Sequence, residues 1–401
     1  MENKMKIVLA YSGGLDTSVM VHWLKKTYDA EVICVCLDIG QGEELDDLKE
    51  RAIRSGADKV YIEDCKEEFV VDYIFPALKA GAVYEERYLL GTSLARPLIA
   101  KKIMEVVKKE EADGVSHGAT GKGNDQVRFE LGFRAFSPDI KIIAPWRIWD
   151  LKSREDEIRY AEKHRIPISV TKEKPYSTDR NLWHISYEGG ILEDITKEPD
   201  RDMFILTKSP DDAKNEPTIL KIGFERGIPK AIDDKEYNPV SLIEELNKIG
   251  GENAIGRIDI VENRLIGIKS RGVYETPGGT ILYISHRELE SIVLDRETMH
   301  YKEILAKKYA ELVYYGLWWT PLREAIDSFV DKTQENMTGD ITLKLYKGTY
   351  SVISRESPNS IYKKDLASFD TDFNHKYAEG FTKLFGLQYE GLFYSEKSAK
   401  Y

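Results

Sequence analysis

Cysteine is scarce in this chain and positive charge is in deficit. The 401 residues hold three cysteines, which cannot all pair with one another. Cys34 and Cys36 alternate along the apolar run Glu31–Leu37, which turns both to one face of a strand and makes them buried thiols rather than a redox or metal pair. A disulfide framework is thereby excluded, and reduced thiols point to the cytoplasm. Lys plus Arg number 58 against 69 Asp plus Glu, a net charge of −11. That is the wrong sign for a protein that neutralises phosphate backbones, so no nucleic-acid partner is expected. No apolar run approaches the roughly eighteen residues of a membrane span. The amino end passes within five residues into a strand-like stretch, so a soluble, unprocessed chain without a membrane partner is expected. Internal repeats and low-complexity segments are absent as well. What remains is 42% hydrophobic residues over a length that favours two or three domains.

Short β-branched runs alternate with helical patterns over the first 170 residues. Lys6–Tyr11, Glu31–Leu37, Lys59–Glu63, Gly114–His117 and Lys141–Ala144 read as strands. Between and after them, helices are expected at Ser18–Tyr28, Glu43–Ser55, Glu67–Lys79, Ser93–Glu111, Asp125–Phe136 and Arg154–His164, the last opened by a capping box of Ser153 and Asp156. Strands apolar on both faces, spaced by helices, predict an α/β fold with a doubly wound parallel sheet of five strands. Past residue 170 the rhythm changes to alternating stretches such as Thr218–Phe224 and Gly256–Val261. Helical periodicity follows at Val240–Ile249, His286–Leu294 and Thr298–Tyr315. A second, α+β domain over 171–360 is expected, strands first and helices later. A helical tail over 361–401, with an amphipathic helix at His375–Phe385, suits docking on a neighbouring subunit.

The sharpest motif is Ala10-Tyr11-Ser12-Gly13-Gly14-Leu15-Asp16-Thr17-Ser18, between the first strand and the first helix. Paired glycines let the backbone turn tightly and point successive N–H groups into one concavity, to which the helix adds its positive end. Ser12, Thr17 and Ser18 supply hydroxyl donors for phosphate oxygens. Asp16 would be repelled by phosphate unless a cation lies between them, which argues for magnesium. The loop lacks the Walker lysine and the G-x-G-x-x-G spacing. Its Ser-Gly-Gly-x-Asp-Thr form resembles the pyrophosphatase loop of enzymes that cleave ATP at the α-phosphate. A second glycine-rich loop, Gly118–Asp125, follows the fourth strand and opens a helix at the same sheet edge. In an open parallel sheet, two such loops enclose one crevice. Asn124 there is either a helix cap or a ligand, and Arg128 lies one turn on.

Four segments in order then resemble the argininosuccinate synthase family: the Ala10–Ser18 loop, Arg87–Pro97, His117–Glu130 and Asn181–Ser186. The likeness continues through Arg271–Pro277 and covers nearly the whole chain, with a local departure at Ile195-Thr196-Lys197. It implies a ligase of arginine biosynthesis or the urea cycle that joins L-citrulline to L-aspartate, forming argininosuccinate, AMP and pyrophosphate from ATP through a citrullyl adenylate. Carried over, Ala10–Ser18 (Ala10, Tyr11, Ser12, Gly13, Gly14, Leu15, Asp16, Thr17, Ser18), Leu37 and Gly118 would hold ATP. Thr120, Asn124 and Asp125 would hold aspartate. Citrulline would meet Tyr88, Ser93, Asn124, Arg128, Ser177, Ser186, Glu262 and Tyr274. Asp16, Asp125 and Arg128 would carry the chemistry, with Mg2+ as the metal and a homotetramer as the assembly. Other members of the loop superfamily, such as transfer-RNA thiolases and lysidine-type ligases, need basic surfaces and often paired catalytic cysteines, which this chain lacks. A glutamine-hydrolysing synthetase would carry a Cys after Met1. A nucleotide-sensing module would leave the second domain without a purpose.

Overall fold

Apolar runs without polar alternation form a parallel sheet in the computed structural model, which describes residues 4–42, 45–167, 176–368 and 374–393. Its strands are β1 (Lys6–Ala10), β2 (Glu31–Asp38), β3 (Lys59–Asp64), β4 (Gly114–Ser116) and β5 (Lys141–Ile143), in the order β3-β2-β1-β4-β5. Ile7, Val8, Leu9, Val32 and Ile33 are fully buried. Each such side chain contributes roughly 1.5–3 kcal/mol. Around the sheet lie α1 (Leu15–Tyr28), α2 (Leu45–Arg54), α3 (Lys66–Phe69), α4 (Phe75–Ala80), α5 (Gly91–Glu110), α6 (Asp125–Phe136) and α7 (Arg154–His164). Glu43, where α2 was expected to start, and the boundary near 170 lie outside the described residues. The capping box forms as expected: Ser153 Oγ accepts from the Asp156 N–H at 3.2 Å and the Asp156 carboxylate accepts from the Ser153 N–H at 3.1 Å. Cys34 and Cys36 are buried in one core cluster, and neither is in a disulfide.

The continuous helix expected at Glu67–Lys79 is instead broken by a π-helical turn at Val70–Ile74 between α3 and α4. Pro76 sits just past that turn, at the start of α4, where its missing N–H matters least.

Two antiparallel sheets complete the first of two compact units, Met1–Asn359. One contains β6 (Ser177–Arg180), β7 (Ile185–Glu188), β11 (Arg257–Asn263) and β12 (Lys269–Glu275), in the order β11-β12-β7-β6. The other contains β8 (Thr218–Glu225), β9 (Ile228–Ile232), β10 (Lys235–Glu236), β13 (Gly339–Tyr346) and β14 (Thr349–Glu356), in the order β10-β9-β8-β13-β14. Helices α8 (Pro239–Glu252), α9 (Pro277–Val293), α10 (Arg296–Tyr314) and α11 (Pro321–Gln334) pack with them. The expectation of strands first and helices later is corrected here. β13 returns after the helices and inserts beside β8, burying Ile341, Leu343 and Leu345. The second unit, Ser360–Tyr401, carries α12 (Lys364–Ala367) and α13 (Lys376–Phe393), whose Phe381, Leu384 and Phe385 are exposed.

Candidate active site

The chain passes from β1 to β2 on one side, while β4 lies on the other, so the order of strand addition reverses between β1 and β4. Loops leaving the carboxyl ends of these two strands meet there, as expected at a topological switch point. They touch: a Cβ placed on Gly118 would lie 3.1 Å from Thr17 Cγ2. In the first loop, Ser12 Oγ and Thr17 Oγ1 pair at 3.2 Å, and Tyr11 and Ser18 hydroxyls pair at 3.0 Å. No side chain caps α1, so its first N–H groups are left to an anion. Gly13 adopts φ +76°, the left-handed region in which a side chain is strained. Leu37 is buried, and its carbonyl accepts from Gln41 Nε2 at 2.6 Å.

Asp16 faces a second acid that the sequence did not reveal. Glu157 of α7 is buried, and burial together with the Asp16 charge pushes its carboxyl up to about 9. No cluster of three His, Cys, Asp or Glu side chains able to hold a metal occurs among the described residues. Asp16 fits a magnesium ion whose other ligands are phosphate oxygens and water, the usual arrangement for that ion.

Beside the loops lies a cavity of about 240 Å³. Antiparallel pairing explains its floor. Ser186 pairs with both Tyr274 and Asp179, Glu188 pairs with Ser177 and Gly272, and Gly272 pairs with Ile260, two residues from Glu262. Paired residues share a face and the side-chain period is two, so Ser177, Asp179, Ser186, Glu188, Glu262 and Tyr274 all project from one face. The opposite face carries Ile185, Tyr187 and Val273 into an apolar cluster.

Helices α5 and α6 supply the cations. Arg96 Nε donates to Asp125 Oδ2 at 2.9 Å and its Nη2 reaches Asp179 at 2.5 Å. Arg128 Nη1 donates to Asp125 Oδ1 at 2.8 Å and its Nε to the Tyr314 carbonyl at 2.9 Å. Burial would raise the Asp125 carboxyl, but Arg96 and Arg128 outweigh it and hold the group down at about 2. Two acids on the sheet go the other way. Burial and the Glu188 charge raise Glu262 against the pull of Arg128, and burial raises Glu188 despite its Arg264 partner. Tyr274 donates to Glu262 Oε2 at 3.1 Å and stacks on Tyr88, ring centroids 4.3 Å apart. Tyr88 oxygen accepts from the Thr92 N–H at 3.2 Å, which leaves the Tyr88 proton to another acceptor.

The cavity thus gathers Tyr88, Thr120, Asn124, Asp125, Arg128, Ser177, Ser186, Glu262 and Tyr274. Ser93 is not on its wall; it is fully buried, and its hydroxyl has no partner among the described residues. Asn124 does not cap α6. Its Nδ2 donates to the Tyr314 hydroxyl at 2.9 Å and its Oδ1 accepts from the Leu265 N–H at 3.0 Å.

Sequence reasoning missed Arg96, Asp179, Glu188, Arg264 and Tyr314 as wall residues. Arg96 had a signal, since it lies one helical turn from Thr92 and Ser93. Tyr314 had none, being far along the chain at the end of α10. Two histidines near the cavity, His117 and His184, are fully buried. His117 Nδ1 accepts from the Ala119 N–H at 3.2 Å, and His184 Nε2 lies 3.0 Å from Thr92 Oγ1. Burial lowers His184 to about 4.

Comparison with known proteins follows the same division. Residues 6–167 match the arginosuccinate synthase N-terminal HUP domain, and residues 176–391 match the arginosuccinate synthase C-terminal domain. The chain belongs to the argininosuccinate synthase family. An argininosuccinate synthase of Acetivibrio thermocellus is 62% identical over 390 residues, 96% of each chain. One of Carboxydothermus hydrogenoformans is 62% identical, covering 95% of this chain and 96% of its own. One of Pelotomaculum thermopropionicum is 59% identical, covering 98% and 99%. The five-stranded parallel sheet lies within the stretch that matches the family's N-terminal HUP domain, and the antiparallel sheet that floors the cavity lies within the stretch that matches its C-terminal domain.

Proposed function

We propose that the protein joins L-citrulline to L-aspartate at the expense of ATP, giving argininosuccinate, AMP and pyrophosphate in arginine biosynthesis. The observation that carries this reading is one cavity whose wall includes the acids Asp125 and Glu262 and the cation Arg128, beside a phosphate-type loop. Two amino-acid zwitterions need such acceptors for their ammonium groups and such a donor for a carboxylate.

A ureido carbon is a poor electrophile. Its oxygen attacks the α-phosphorus while the bond to pyrophosphate breaks, and the aspartate amine then displaces AMP from the citrullyl adenylate and loses a proton. Tyr88, Ser177, Ser186, Glu262, Tyr274 and Arg128 hold citrulline; Thr120, Asn124 and Asp125 hold aspartate. Ala10–Ser18, with Leu37 and Gly118, holds ATP, and Asp16 supplies the carboxylate for Mg2+. Positioning and charge neutralisation do most of the work. Residues 1–170 form the ATP-binding part, 171–360 the amino-acid part, and 361–401 an oligomerisation tail. The exposed apolar residues of α13 support a homotetramer, and three reduced thiols support a cytoplasmic location.

Purified protein should release pyrophosphate from ATP only when citrulline is present, and form argininosuccinate when aspartate is added. Equal pyrophosphate release with no amino acid would refute the assignment.

A further inference from the structure

The phosphate loop contains no lysine, and the cation at its turn comes from another element. Arg51 of α2 donates from Nη1 to the Gly13 carbonyl at 2.7 Å. One helical turn earlier, Leu48 packs on the same place, where a Cβ on Gly13 would collide with Leu48 Cδ2. Helix α2 therefore lies against the loop through both residues. Arg51 is half-buried, and among the described residues no carboxylate is within ion-pair reach of it. The loop itself carries the opposite sign through Asp16. Arg51 is thus a fixed guanidinium on a neutral carbonyl. A phosphate oxygen binds guanidinium more strongly than a carbonyl does, and in bidentate geometry.

We infer that Arg51 is a pyrophosphate ligand, exchanging the Gly13 carbonyl for oxygens of the β- and γ-phosphates when ATP binds. This rests on the reading of Ala10–Ser18 as the ATP loop. When the ureido oxygen bonds to the α-phosphorus, the bridging oxygen to the β-phosphorus leaves with the bonding pair. Negative charge on the departing pyrophosphate rises in that step, so a guanidinium there stabilises the transition state more than the ground state.

The test is product inhibition of the full-length enzyme by inorganic pyrophosphate and, separately, by AMP, each against ATP. Arg51→Met keeps the apolar stem and removes the charge; Arg51→Gln also keeps a donor for Gly13. Both should weaken inhibition by pyrophosphate about tenfold or more, the loss of one charge-assisted contact, and lower kcat/KM for ATP in parallel. Inhibition by AMP, which lacks the β- and γ-phosphates, should stay within about twofold. Arg51→Lys should restore part of the pyrophosphate effect. Unchanged pyrophosphate inhibition in both charge-removing variants would overturn the inference while leaving the loop reading intact. Equal weakening of pyrophosphate and AMP would overturn it too, because that pattern marks a merely structural role. If pyrophosphate does not compete with ATP in the unaltered enzyme, the loop reading falls and the inference with it.

Discussion

An Asp125→Ala enzyme should fold and lose about a thousandfold in kcat/KM for both amino acids, the equivalent of roughly 4 kcal/mol. Asp125 is expected to accept the ammonium of aspartate, and it also holds the two arginines that face the cavity. Its Oδ1 takes Arg128 and its Oδ2 takes Arg96, which in turn reaches Asp179. Removing the carboxylate leaves two buried guanidinium groups without their shared anion, so the citrulline side is disturbed along with the aspartate side. Asp125→Asn keeps the shape and one acceptor, and should lose less.

The pH profile adds a check. Burial acts to raise this carboxyl and the two arginines bring it down to about 2, below its usual 3.8. A depressed acid contributes stability above its unfolded value and loses it only as pH falls through the folded one. No limb of the activity profile above pH 4 should therefore belong to Asp125. A loss smaller than tenfold in steady-state kinetics of Asp125→Ala would contradict the role given to it.

Glu275→Leu should destabilise the fold by about 4 kcal/mol without touching the cavity. The side chain is fully buried, one residue beyond Tyr274 and on the opposite face of β12. Its two oxygens accept from the N–H groups of Ile205 (2.9 Å), Leu206 (3.0 Å) and Thr207 (2.7 Å), and from the hydroxyls of Thr207 (2.6 Å) and Tyr187 (2.5 Å). A buried carboxylate so completely satisfied acts as a clasp between β12 and the segment before β8. Leucine fills similar space but orphans three backbone donors at roughly 1–3 kcal/mol each, partly relieved by water. Glu275→Gln retains acceptors on one side only and should fall between. Urea denaturation of both variants is the measurement, and a change under about 1 kcal/mol for Glu275→Leu would refute the clasp.

Periodicity and turn chemistry act locally, and what they govern was readable. The five parallel strands, both glycine loops, the span of α6 and the Ser153–Asp156 box follow from runs of under twenty residues. Other features did not. The helix expected at His286–Leu294 starts earlier, at Pro277, because Pro suits a first helical position and Gly278 and Gly279 admit the Asn247 and Trp183 side chains. Strands β13 and β14 and helix α11, which follow the helical stretch, are also missing from the sequence reading; β13 is placed by the distant β8, and α11 packs on α10 and on α4 from the first domain.

The site divides in the same way. The loop residues are visible as motifs, whereas Ser177, Ser186, Glu262 and Tyr274 come to one face only through the register of two strand pairs far apart in sequence, and family likeness is the sole pointer to them. Glu157, Arg51 and Tyr314 carry no local signal at all. Their importance comes from what α7, α2 and α10 are packed against.

In the proposed reaction ATP activates the ureido oxygen of citrulline in the site between the two loops. Citrulline carrying heavy oxygen in the ureido group tests it directly, with AMP isolated after turnover and weighed by mass spectrometry. One heavy oxygen should appear in the AMP phosphate for each argininosuccinate formed. Unlabelled AMP, with the label in water or inorganic phosphate, would contradict it.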